Sequence, residues 1–170
     1  MTAAAPSALT VATLPTPGGQ LTVAVAPDGV VHRALFGPTE VMLEMVPDAV
    51  VVAPQDLPGG VAGAVARYAA GEVGALDAVG VQQPGGPFVQ SVWAVMRGIP
   101  AGSTVSYTEL AQRAGRPTAV RAAASACARN MVAPFVPCHR VVRSDGSLGG
   151  YAYGLDVKRA LLEHERAHAG

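Results

Sequence analysis

Phe135-Val136-Pro137-Cys138-His139-Arg140-Val141-Val142 sets a cysteine beside a histidine inside an apolar run, with a proline before the pair and an arginine after it. The thiolate, not the thiol, is the strong nucleophile, and a cationic neighbourhood lowers the pKa of a cysteine. His139 and Arg140 are placed to supply one. The valines and Phe135 read as a short buried strand or extended segment. Side chains alternate across a strand, so adjacency alone does not bring the imidazole to the sulfur, and a water could bridge the two. Free cysteine is also among the most buried residue types and often acts as a small hydrophobe. The run by itself admits a reactive thiol or a packed one.

On the C-terminal side, Ser144 to Gly150 reads as a flexible loop that Tyr151-Ala152-Tyr153-Gly154 continues, a mobile wall for a pocket. Asp156 reads as the cap of a last helix with Val157, Leu161 and His164 on one face. On the N-terminal side, Phe88, Val92, Val95 and Met96, with Trp93 beside them, recur at helical spacing until Gly98, Pro100 and Gly102. Ser106 and Glu109 have the spacing of a capping box, Leu110 and Ala111 point inward, and Gly115 stops that helix. Thr118 to about Arg129 then forms a third helix. Helix, glycine turn and helix is the helix-turn-helix layout. Ala122, Ala123, Ala124, Ser125 and Ala126 are all small, which lets the third helix approach either its own core or another body closely.

Before Phe88 the periods change. Leu9–Leu14, Leu21–Ala26 and Val30–Phe36 read as strands separated by Pro15-Thr16-Pro17-Gly18-Gly19 and Pro27-Asp28-Gly29. The middle strand has a half-buried, alternating pattern. Gly37 to Pro54 carries mixed signals, with a short strand at Val50–Ala53. Leu57, Val61, Val65 and Tyr68 predict an amphipathic helix from Leu57 to about Ala70, and Leu76–Val81 predicts an edge strand. His32 reads as a surface or edge residue. Gln83-Pro84-Gly85-Gly86-Pro87 is the strongest punctuation, giving an α/β sheet domain over 1–83 and a mainly α domain over 84–170. Met1–Ser7 and Ala167–Gly170 are expected to fray.

The 170 residues carry no formal net charge, with 12 basic and 12 acidic side chains. That balance hides an asymmetry. Residues 1–87 hold two basic and seven acidic side chains, and residues 88–170 hold ten and five. A basic half is the electrostatic footprint of a phosphate-backbone binder. Two cysteines do not make a disulfide framework. No secretory signal and no stretch of roughly 18 apolar residues is evident, so the expectation is a soluble, cytoplasmic protein with reduced thiols and no membrane contact. Cys127, Cys138, His139 and His164 lack paired ligand spacing, so neither metal nor cofactor is expected.

Pro137-Cys138-His139-Arg140-Val141 resembles the signature of the O(6)-alkylguanine-DNA alkyltransferases, the methylated-DNA–protein-cysteine methyltransferases. Ser106-Tyr107-Thr108-Glu109-Leu110-Ala111 and Ala119-Val120-Arg121-Ala122 resemble that family's helix-turn-helix. Asn130, eight residues before the cysteine, and Tyr151, Gly154, Lys158 and Leu161-Leu162-Glu163-His164-Glu165 extend the match. The resemblance is strong from Phe88 to Arg166 and weak before it. It implies a ribonuclease-H-like first domain and a winged helix-turn-helix in the second. It also implies a monomer that binds double-stranded DNA through the minor groove and flips the alkylated base. The implied reaction is single-turnover alkyl transfer from O6-alkylguanine, and from O4-alkylthymine, to Cys138. His139, Glu165, Tyr107 and Asn130 would support the chemistry. Arg121, Ala122, Ser125 and Tyr107 would meet DNA. Val141, Tyr151, Ala152 and Lys158 would line the substrate pocket. A cysteine hydrolase and a non-catalytic, lesion-binding alkyltransferase-like protein are the competing readings.

Overall fold

A computed structural model describes residues 8–169 of the chain. The expected fraying of Met1–Ser7 and of Gly170 lies outside the described residues, whereas Ala167 and His168 complete the last helix.

The N-terminal half is a mixed four-stranded sheet, β1 (Thr10–Thr16), β2 (Gly19–Val25), β3 (Val31–Phe36) and β4 (Val50–Val51), in the order β3-β2-β1-β4. β1 and β2 form a hairpin whose register runs from Thr10↔Val25 to Thr16↔Gly19, so Pro15 and Thr16 belong to the strand and the turn is Pro17-Gly18. β3 adds antiparallel to β2, and β4 adds parallel to β1. Between β2 and β3, Gly29 has φ +86°, and a Cβ there would lie 2.7 Å from the Cα of Gly59. The hairpin turn and the Pro58-Gly59-Gly60 turn touch backbone to backbone at that point.

β2 is not the half-buried strand its alternation suggests, since Leu21 through Ala26 are all buried. The reason is helix α1 (Thr39–Met45), which occupies the stretch of mixed signals. It covers one face of the sheet through Met42, packed with Val11, Ala24 and Leu35. The opposite face packs on α2 (Val61–Ala69) through Val61, Ala64, Val65 and Tyr68. Thr22, fully buried, meets its polar needs by donating to the Gly37 carbonyl and pairing with Thr13. α2 begins at Val61, not Leu57, because Gly59 and Gly60 sit at positive φ and hold the preceding residues in 3-10 turns. The expected strand at Leu76–Val81 is instead a 3-10 turn, Ala75–Ala78, followed by a single bridge from Val81 to Val31.

The C-terminal half is mainly helical: α3 (Pro87–Arg97), α4 (Tyr107–Arg113), α5 (Val120–Ala128) and α6 (Leu155–His168), with a two-residue parallel pair, β5 (Val105–Ser106) and β6 (Val141–Val142). Ser106 caps α4 by accepting from the Glu109 amide. Glu109 does not complete the box, because its carboxylate pairs with Arg113 one turn on. α6 starts after Gly154 without a side-chain cap, and Asp156, inside the first turn, pairs with Arg159. Trp93 of α3 donates its indole N–H to the Ala126 carbonyl and locks α3 against α5.

The two halves share one core, in which Leu21, Val23 and Tyr68 cluster with Trp93, Leu110, Phe135 and Leu161. Backbone bonds reinforce it. The outer edge of β3 gives the Ala34 amide to the Met131 carbonyl and the Val31 amide to the Gly80 carbonyl. Arg97 of α3 fans its guanidinium over the carbonyls of Phe135 and Val79 at 2.7 Å, Asp77 at 3.1 Å and Leu76 at 3.5 Å. Desolvation lowers its pKa, and Asp77 opposes that shift. Hydrogen bonds from a charged donor are each worth roughly 1.5–3 kcal/mol. Arg97→Leu is therefore expected to destabilise the fold by about 2–3 kcal/mol, read as a lower urea midpoint in Trp93 fluorescence.

Candidate functional site

Asn130 follows the end of α5, and the chain from Val132 to Pro137 runs wholly buried behind it. Cys138, His139 and Arg140 then form a single 3-10 turn, closed by the Arg140 amide on the Pro137 carbonyl. This corrects the extended reading of the segment. Only Val141–Val142 is strand, since pairing with β5 begins there. A 3-10 turn spreads successive side chains by about 120°. Cys138 therefore faces a cavity while His139 turns into the core, fully buried.

The cavity measures about 310 Å³ and is lined by Tyr107, Ala124, Cys127, Ala128, Asn130, Cys138, Gly150, Tyr151, Ala152 and Tyr153. Asn130 is set from three sides. Its Nδ2 donates to the Val136 carbonyl at 2.8 Å and to the Cys138 sulfur at 3.3 Å. Its Oδ1 accepts from the Val132 amide at 3.1 Å and from Nε2 of Gln83 at 2.9 Å. Gln83 itself accepts from the Met131 amide. Burial raises the Cys138 pKa, and the Asn130 hydrogen bond and the Lys158 charge partly offset it. The expected cationic aid from His139 is not there, because burial pulls the imidazole below its ordinary value despite the Glu165 hydrogen bond. At rest the pair is thiol and neutral imidazole.

Glu165, on α6, is the buried hub behind the cavity. Its Oε2 meets His139 Nε2 at 2.7 Å, and Arg140 donates to Oε1 at 2.8 Å and to Oε2 at 3.0 Å. The Tyr68 hydroxyl donates to the same Oε2 at 2.6 Å. Burial alone would raise this carboxyl, but the donors and the charge of Arg140 hold it far below the usual carboxylate range. Burying a carboxylate costs several kcal/mol, and donors worth roughly 1.5–3 kcal/mol each outweigh that. An ionised Glu165 requires the proton of His139 on Nε2, which leaves Nδ1 as an acceptor. Nδ1 is buried and has no partner among the described residues.

α5 presents Arg121, Ala122 and Ser125 to solvent and turns Ala123 and Ala126 into the core. Arg121, Ser125 and Ala128 recur at helical spacing on the exposed side, and Ala124 and Ala128 reach the cavity rim. The structure thus brings Cys138, Asn130, Tyr107, Tyr151 and Ala152 to one cavity at the foot of this helix. Val141 and Lys158 do not line it. Val141 is buried in the β5–β6 pair, and the Lys158 ammonium donates to the carbonyls of Val141, Leu148 and Gly150. Lys158 thereby ties down the loop expected to be mobile. The sequence reading missed Cys127, Gln83 and Tyr68, and it placed Tyr153 only within the segment expected to wall a pocket. Cys127 had the one available signal, eleven residues before Cys138 on a helix of small residues, and burial pushes its thiol up to about 12. Among the described residues, no group of three or more His, Cys, Asp and Glu is placed to hold a metal, and no helix is long and apolar enough to cross a membrane.

The fold, a mixed sheet joined to a helical half, has known counterparts. The profile of the 6-O-methylguanine DNA methyltransferase DNA-binding domain matches residues 87–167. The methylated-DNA–protein-cysteine methyltransferase of Mycobacterium tuberculosis H37Rv is 44% identical over 115 residues, 66% of this chain and 69% of that one. The crystal structure of the Mycobacterium tuberculosis O6-methylguanine methyltransferase superposes with a TM-score of 0.78 at 32% identity, covering 96% of this chain and 94% of that one. The bifunctional transcriptional activator/DNA repair enzyme Ada of Escherichia coli K12 is 56% identical over 81 residues, 48% of this chain. The matched region spans 23% of that longer protein, so the likeness there concerns one part of it. The chain belongs to the methylated-DNA–protein-cysteine methyltransferase family.

Glu165 and His139 both have pKa values held below their ordinary ones, 4.5 and 6.5. In each case the unfolded chain binds more protons than the folded one, so stability rises with pH. It is lost as pH falls, first below about 6.5 through His139 and then below about 4.5 through Glu165. Urea titrations between pH 8 and pH 4 are expected to show this two-stage loss, with the upper stage absent in His139→Gln.

Proposed function

We propose that the protein repairs DNA by moving an alkyl group from O6-alkylguanine, and from O4-alkylthymine, onto Cys138 in a single turnover. One observation carries the reading. The Cys138 sulfur, hydrogen-bonded by Asn130, forms the wall of an open cavity at the foot of an exposed helix, with a buried base and its carboxylate behind it.

Duplex DNA lies along α5 by its minor groove, held by the basic half through phosphate contacts. The damaged base leaves the stack because its alkyl carbon is unreachable inside it, and Arg121 fills the space it vacates. Ala122 and Ser125 are small enough for the helix to approach the backbone closely. In the cavity the base meets Tyr107, Tyr151 and Ala152. The thiol proton passes through a water to Nδ1 of His139, and Glu165 stabilises the imidazolium through Nε2–H. The sulfur lone pair forms the S–C bond as the C–O6 bond breaks, and the electron pair withdraws into the guanine ring. Tyr107 donates a hydrogen bond to the departing base, and the proton held on His139 Nδ1 returns through water to that base, leaving neutral guanine and a neutral imidazole. The Asn130 N–H on sulfur favours the thiolate as it forms. The thioether has no hydrolytic route in this site, so the protein acts once, without metal or cofactor, as a cytoplasmic monomer. The same reading assigns the sheet half, 1–83, to the ribonuclease-H-like class and the half from 84 to 170 to a winged helix-turn-helix.

Incubation with a duplex containing one O6-methylguanine is expected to place one methyl group on the peptide bearing Cys138, at one equivalent per chain and at none in Cys138→Ala. Continued turnover would indicate a hydrolase, and retention of an unchanged lesion would indicate a pure binder. Asn130→Ala is expected to slow transfer by roughly 10- to 100-fold, the loss of one hydrogen bond to a forming charge. Glu165→Gln is expected to slow it by about 100-fold or more, within the range of lost general-base assistance. Single-turnover rates under excess protein check both.

A further inference from the structure

Tyr68 stands outside every motif of the C-terminal half, 97 residues from the carboxylate it reaches. It is on α2, 1% exposed, and among the largest fully buried side chains. Its ring packs edge-on to His164 with centroids 5.2 Å apart, and its backbone carbonyl meets His164 Nε2 at 2.7 Å. Both contacts hold Tyr68 against α6, and its hydroxyl donates to Glu165 Oε2 at 2.6 Å. That oxygen is the one that holds His139.

We propose that Tyr68 is a positioning residue through which the N-terminal half sets the basicity of His139. The proposal rests on the alkyl-transfer reading in which His139 is the base. Oε2 shares its electron density among three donors: the Tyr68 hydroxyl, His139 Nε2–H and an Arg140 N–H. Each N–H or O–H that it accepts leaves less charge for stabilising an imidazolium. The Tyr68 hydroxyl therefore keeps the imidazole neutral and proton-free on Nδ1 at the pH where the thiol must be deprotonated. The other charged and titratable groups around the trio do not substitute for it. Arg140 is fixed on both carboxylate oxygens and on the Ile99 carbonyl. Lys158 is committed to three backbone carbonyls. Cys138 lies on the cavity side of His139. His164 uses Nε2 on the Tyr68 backbone, and Tyr151, nearby, has a hydroxyl with no partner among the described residues. A tyrosine that only filled space would be replaced without loss by phenylalanine, whereas Tyr68 carries one of the shortest side-chain hydrogen bonds in the core.

The test is the pH dependence of single-turnover methyl transfer by the full chain. Removing the hydroxyl in Tyr68→Phe concentrates charge on Oε2, makes His139 more basic and moves the acidic limb of the rate profile up by roughly half to one pH unit. Rates below the midpoint then fall by about three- to tenfold. Replacing Tyr68 with 3-fluorotyrosine keeps the ring and its packing but strengthens the donor, and the limb moves the other way. In a Glu165→Gln background, Tyr68→Phe shifts the limb no further. Opposite shifts from the two replacements, absent without Glu165, support the assignment. A Tyr68→Phe profile superimposed on the wild-type one, with only a lower melting temperature, overturns it and leaves the alkyl-transfer reading standing. Absence of transfer by the wild-type protein overturns that reading, and the assignment with it.

Discussion

A carboxylate inside protein is tolerable only if its charge is answered on the spot. Glu165 is answered by a guanidinium, an imidazole and a phenol, drawn from two separate stretches of chain. Two of these donors are neighbours in sequence, His139 and Arg140, and the 3-10 turn lets both face inward while Cys138 faces the cavity. The third comes from the opposite half of the molecule. A single buried charge thus ties together α6, the turn that carries Cys138, and α2. The chemical setting proposed for Cys138 follows from the same arrangement: a thiol kept neutral by burial, with a neutral base behind it.

The division at Gln83 to Pro87 is a division of composition and charge more than of packing. Gln83 holds the amide of Asn130, Arg97 gathers carbonyls from both halves, and β3 finds hydrogen-bond partners in the segment that leads to the cysteine. A sheet half with seven acidic and two basic side chains is joined to a helical half with the opposite balance. Charge of one sign gathered on one half can orient a molecule toward a polyanion before contact, and the shared core keeps that orientation tied to the cavity.

Much of this was legible from residue order. The strand–turn–strand pattern, the stops at Gly98 and Gly115, and the cap at Ser106 are local signals, and each corresponds to a local element of the structure. The juxtaposition of Cys138, Asn130, Tyr107 and Tyr151 was reached through resemblance, since nothing in spacing alone brings residues 107 and 151 together. What stayed hidden was non-local. α1 has too short an apolar stripe to announce itself, and without it the full burial of β2 could not be read from alternation. Glu109 preferred Arg113 to the free amides, a competition between two partners that sequence does not rank. Lys158 was placed in the pocket by the family resemblance, yet three backbone carbonyls hold it. Tyr68 and Gln83 carry no motif, and only the tertiary fold brings them to the site.

The edge of β3 has one further meaning. At Val31 and Ala34 its outward amides and carbonyls are met by residues 80–82 on one stretch and 131 on another, so the rim is covered at those points, where it would otherwise offer a template to foreign chains. Severing the polypeptide at the glycine–proline joint would unzip that seam, strip Tyr68 of its carboxylate and leave each fragment with half of an apolar interior facing water. Such fragments are complementary to each other before they are complementary to anything else. The joint is therefore a place where the chain tolerates a break in covalent continuity only if the two pieces find one another again.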